Sequence, residues 1–102
     1  MENLSYQTAK YFLKEREIFP LNISTFILQF SQKRISYFSP EEVFDYLQEE
    51  GIEVRDINVV EAICINLSRA GIYNFECDRK LKCSYRFANE KYCLIAGILV
   101  EK

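Results

Sequence analysis

A chain of 102 residues has room for one domain around one hydrophobic core. Apolar residues make up 49% of it and aromatics 15%, which excludes a chain too polar to collapse. The formal net charge is only −2, and His is absent, so the commonest general base and the commonest metal ligand are both missing.

Catalysis and metal binding are therefore not expected, and no cofactor is implied. The glycines Gly51, Gly71 and Gly97 stand alone, so no Gly-rich phosphate loop is present. Lys10, Lys14, Glu15, Arg16 and Glu17 interrupt the first apolar stretch, which does not read as an export signal. The longest charge-free apolar run, Tyr92 to Val100, is far below the roughly 20 residues of a membrane-spanning helix. A cytoplasmic protein without a membrane partner is expected. Asn-x-Ser triplets at Asn3, Asn22 and Asn66 are then chance matches.

Helical periodicity predicts a first helix over about 6–17, behind Ser5. A second follows the Pro20 break, with Asn22 as its expected cap and Ile23, Phe26, Ile27 and Phe30 on one face. The third has the clearest start. Ser39-Pro40-Glu41-Glu42 supplies a capping Ser, Pro at the first helical position and Glu at the third. It buries Val43, Phe44 and Leu47 and stops at Gly51. The fourth starts behind Asp56, turns Ile57, Val60, Ile63, Cys64 and Leu67 inward, and ends near Ala70 and Gly71.

Shifting the first half by 34 residues over the second brings Ser5 onto Ser39, Leu13 onto Leu47, Glu15 onto Glu49, Ile18 onto Ile52 and Ile23 onto Ile57. With a small slip, Ile35-Ser36-Tyr37-Phe38 meets Ile72-Tyr73-Asn74-Phe75, and both stretches read as strands. The expected fold is α+β: two helix–helix–strand units in a single domain spanning 1–102. Unit one covers about 5–38 and unit two about 39–88, with a hairpin over 72–88. A period of 34 also fits tetratricopeptide repeats, but their signature residues are missing.

In the hairpin, Tyr73, Phe75 and Cys77 alternate with Asn74 and Glu76, while Cys83, Tyr85 and Phe87 alternate with Ser84 and Arg86. Antiparallel pairing of Cys77 with Cys83, Phe75 with Tyr85 and Tyr73 with Phe87 puts all three pairs on one face. A capped helix, a turn, a second helix and a hairpin with a basic tip resemble a winged helix-turn-helix domain. The resemblance places the first helix at 23–33, a short strand at 35–37, the second helix at 40–50, the recognition helix at 56–70 and the wing at 73–87. It rests on element order and covers about two thirds of the chain. In size and in its two similar motifs the chain also resembles small orphan proteins of viruses infecting hyperthermophilic archaea, which would place it in the host cytoplasm.

Charge divides the chain into blocks. Residues 1–38 carry net +2, residues 39–61 net −7 and residues 62–102 net +3. If the winged-helix resemblance holds, duplex DNA would meet Arg55, Asn58, Asn66 and Arg69 on the recognition helix and Arg79, Lys80, Lys82 and Arg86 on the wing. Glu41, Glu42, Asp45, Glu49, Glu50, Glu53, Asp56 and Glu61 oppose that docking, since phosphates would meet carboxylates. The same surfaces, and a groove between the two units, suit a protein or peptide partner. Tyr6, Tyr11, Phe12, Phe19, Tyr37 and Phe38 add aromatic surface of the kind enriched at interfaces. Protein recognition is the first reading and sequence-specific DNA binding the alternative. An enzyme built on Glu41, Glu42, Asp45 and Glu49 ranks well behind both.

The four cysteines, Cys64, Cys77, Cys83 and Cys93, lack zinc-site spacing. Cys77 and Cys83 face each other across the hairpin, where a disulfide is geometrically allowed. An ordinary cytosol would keep them reduced, whereas intracellular disulfides persist in hyperthermophiles. The apolar segment over 92–100 reads as a strand beside the hairpin or as a short helix at a homodimer interface.

Overall fold

The computed structural model describes residues 11–88 apart from 12, 33 and 35. Half of the first expected helix and the whole apolar segment at 92–100 lie outside the described residues. Within them the fold is α+β: α1 (Leu21–Gln32), α2 (Pro40–Glu49), α3 (Ile57–Arg69), β1 (Tyr73–Cys77) and β2 (Cys83–Phe87). Both strands form one antiparallel sheet, and Phe38 joins the outer edge of β2 through an isolated bridge to Tyr85.

Each helix start has a local cause. Ser39 sits in extended backbone, its hydroxyl accepts from the Glu42 N–H, and the Glu42 side chain accepts from the Ser39 N–H. This reciprocal pair, with Pro40 at the first helical position, fixes the start of α2. Asp56 does the same for α3, accepting from the Asn58 N–H at 2.9 Å. For α1 the expected cap is corrected. Asn22 lies inside the helix, and the Pro20 carbonyl instead accepts from the N–H and the hydroxyl of Ser24. The expected strand at 35–38 is likewise reduced, among the described residues, to the Phe38 bridge. Ser39 already begins the cap of α2, leaving the segment no length in which to run along β2.

Three helix ends close in one pattern. The N–H groups of Ile18, Ile52 and Ile72 return to the carbonyls of Leu13, Leu47 and Leu67. Inside each, the N–H of residue 17, 51 or 71 bonds to the carbonyl of Lys14, Gln48 or Ser68. Such an ending needs a left-handed residue, supplied by Gly51 (φ 74°) and Gly71 (φ 80°) but by Glu17 (φ 56°) at the first. A Cβ at either glycine would meet open space, so what these glycines contribute is backbone freedom. Glu17 occupies the same geometry at a cost. Glu17→Gly should stabilise the fold by about 0.5–1 kcal/mol, since relief of the left-handed cost outweighs the added chain entropy. A higher denaturant midpoint with unchanged slope would show it; a lower midpoint would refute it.

The core gathers between the helices and one face of the hairpin. It contains Leu13, Ile18, Ile27, Leu28, Phe38, Val43, Leu47, Val60, Ile63, Leu67, Ile72, Tyr73, Tyr85 and Phe87. Phe38 meets Phe30 and Tyr73 edge-on, with centroids 5.3 and 5.7 Å apart. Buried Ser31 donates to the Ile27 carbonyl and shares a hydrogen bond with the Tyr73 hydroxyl, tying α1 to β1. No described helix is long and apolar enough to cross a membrane.

Candidate recognition surface

Because α3 packs its Val60–Ile63–Cys64–Leu67 stripe inward, its opposite side is fixed by the helical repeat. Asn58, Ala62, Ile65 and Arg69 are all exposed and lie along that outer side, while Glu61 and Asn66 flank it half-buried. Ile65, 42% exposed, stands near its centre. Arg55 is exposed in the turn before the Asp56 cap. The candidates Arg55, Asn58, Asn66 and Arg69 thus gather on and beside one helix, with an apolar centre between them.

The hairpin follows the expected register from Tyr73↔Phe87 to Cys77↔Cys83, yet only its base is buried. Every residue from 74 to 82 is exposed, with Phe75 at 57% and Leu81 at 83%. Arg79, Lys80 and Lys82 share the tip, organised by the Asp78 carboxylate, which accepts from the N–H groups of Lys80 and Lys82 at 2.8 and 3.0 Å. Cys77 and Cys83 are joined by a disulfide. Arg86 stands apart from the tip, with its guanidinium 5.4 Å from the centre of the Tyr37 ring. The hairpin cations therefore form two groups rather than one strip.

An open cleft of about 530 Å³ lies between the start of α2 and the outer hairpin. Ser39, Glu41, Glu76, Asp78, Lys82 and Ser84 line it together with both disulfide cysteines. Sequence reasoning missed this meeting of α2 with the hairpin, because it depends on the Phe38 bridge that draws the two together. It also missed Arg34, which stacks 5.3 Å from the Phe30 ring and pairs with Glu42 at 3.0 Å.

The acidic face of α2 is exposed at Glu41, Glu42, Asp45 and Glu49. Of these, Glu42 has its carboxyl held below the ordinary range, first by the Ser39 backbone N–H, against some burial, and then by Arg34. A lowered folded pKa contributes stability above the unfolded pKa that is lost as pH falls through the folded one. Glu42→Gln should therefore differ most from the parent near neutrality and converge with it in acid. Denaturant midpoints measured against pH test this; a gap that widens in acid would refute it.

Cys64 is buried in α3, and burial followed by the charge of Glu61 pushes its thiol up to about 12. It stays protonated at neutral pH and is a poor nucleophile. Among the described residues, no group of His, Cys, Asp or Glu is arranged to hold a metal ion. No protein-family model, curated protein or solved structure matches the chain.

Proposed function

We propose that the chain is a non-catalytic recognition module of winged-helix-like plan, and that its partner is a protein or peptide. The observation that carries this reading is the make-up of the outer side of α3. Ala62 and Ile65 occupy its centre, Asn58 its start, and Arg69 supplies its positive charge at the end. An apolar centre with polar ends is the composition of a protein-binding patch, whereas duplex binding draws on cations spread along the contact. The exposed carboxylates of α2, the helix packed against α3, would repel phosphates and attract a basic partner. The twofold use of a helix–helix–strand unit belongs to the same proposal. The groove between its two copies is a second place for a peptide.

Sequence-specific duplex DNA binding is the second reading. It is favoured by the order helix, bridge, helix, helix, hairpin, and by the projecting tip with Arg79, Lys80 and Lys82 exposed.

Titrating the full chain with random-sequence duplex DNA at low salt separates the two. The protein reading expects no saturable binding at about 50 mM salt. Submicromolar binding with a steep salt dependence, lost when Arg79, Lys80 and Lys82 become Ala, would overturn it. Selection from a random peptide library supplies the positive arm. Recovered peptides should bind the parent and fail on Ile65→Asp, and peptides indifferent to that change would remove α3 from the proposal.

A further inference from the structure

The outer half of the hairpin is held in a way that differs from the rest of the molecule. Below it, Tyr73, Tyr85 and Phe87 are buried, Phe38 pairs with Tyr85, and the Ala88 N–H bonds to the Ile72 carbonyl at 2.8 Å. Above it, all of residues 74–82 are exposed, and the core reaches only the partly buried Cys83 and the Phe75 ring, whose centre lies 6.4 Å from that of Tyr85. A two-stranded ribbon without a packed face is marginal in water. The tip adds a cost of its own, since Leu81 is left-handed (φ 62°) with its side chain in solvent. Against this stand the ladder, the contacts around Asp78 and the bond between Cys77 and Cys83, which closes the loop over residues 78–82. That bond is also within reach, because Cys77 is exposed and both cysteines line the open cleft.

We infer that the Cys77–Cys83 disulfide makes the outer hairpin a redox-sensitive element, ordered when oxidised and frayed by a dithiol reductant, above a core that stays folded. A thiolate of the dithiol attacks one of the two sulfurs, for instance that of Cys77, the more exposed residue. The S–S bond breaks, its electron pair leaves on Cys83 Sγ, and that sulfur takes up a proton. The reductant's second thiol then attacks the mixed disulfide and releases Cys77 as a thiol. The dithiol departs as a cyclic disulfide, having given the protein two electrons and two protons. The chain's other described cysteine does not interfere, since Cys64 is buried and protonated. What changes is the presentation of Arg79, Lys80, Leu81 and Lys82. The inference holds whichever partner, protein or DNA, the surface serves.

Amide hydrogen exchange by NMR on the full chain, with and without dithiothreitol, tests the inference. On reduction, the amides of Glu76, Asp78, Leu81 and Ser84 should exchange about tenfold faster or more, while those of Ile72, Ala88 and the centres of α2 and α3 change by less than about threefold. Reoxidation should restore the original pattern. The double substitution Cys77→Ser/Cys83→Ser should show the reduced pattern without reductant and ignore its addition. Iodoacetamide should label both Cys77 and Cys83 in the native chain only after reduction. Unchanged tip exchange on reduction, a uniform change across the chain, an oxidised-like pattern in the double variant, or a bond that resists native reduction would each overturn the inference.

Discussion

Phe38→Ala should cost about 3–5 kcal/mol, a large share of the roughly 5–15 kcal/mol that holds a domain of this kind together. The ring is fully buried, and its edge-on neighbours Phe30 and Tyr73 belong to α1 and β1. Its own backbone exchanges two hydrogen bonds with Tyr85, at 2.9 and 2.8 Å. One residue therefore fastens the helices to the hairpin through its side chain and the sheet edge through its main chain. Alanine keeps the main-chain bonds and removes the ring, leaving a cavity that three elements would have to close. Denaturant unfolding gives the measurement, with Phe38→Leu expected to recover much of the loss. A cost below about 1 kcal/mol would mean that the ring is not the fastening described here.

Leu67→Ala should cost about 2–5 kcal/mol, although Leu67 is only two residues from a position where truncation should barely register. Its side chain is completely buried on the inner stripe of α3. Its carbonyl accepts from the Ile72 N–H, and that bond survives the substitution, so the loss isolates packing from helix termination. On the outer side, Ile65→Ala should change stability by no more than about 0.5 kcal/mol. Unfolding the two variants side by side fixes the rotation of α3 in solution. Equal costs would show that the outer face is covered by packing, and would remove it as a recognition surface.

What could be read from the sequence was whatever is decided within a few residues. Ser39-Pro40-Glu41-Glu42 is a complete helix start, Gly51 and Gly71 mark two stops, and strand alternation fixes the register from Tyr73 to Cys83. The Leu-to-Ile closure recurs at three helix ends, including one outside the 34-residue alignment. It is thus a general stop device, and its presence at Leu13 and Leu47 does not by itself argue for a copied unit. What could not be read depends on distant partners. Alternation placed Phe75 and Cys77 on the same face as Tyr73, but how much of that face is buried is a property of the packed whole. Arg86 looked like a free wing cation until Tyr37, far away in sequence, came to lie under its guanidinium. Buried Ser24 and Ser31, which the helical pattern left unremarked, bond to carbonyls one turn back.

The bond at the base of the basic loop also governs what a protease can do here. Arg79, Lys80 and Lys82 are all exposed, and all three lie between the linked cysteines. Trypsin cutting after any of them would separate α1, α2, α3 and β1 from β2 in covalent connectivity along the main chain, but not in space. The two pieces would remain tethered through their side chains, with β2 still seated against Tyr73 and Phe38. Such a nicked molecule has two new termini at the end of the hairpin farthest from the core. The loop is therefore a natural place to open the chain for insertion or circular permutation without dismantling the fold beneath it.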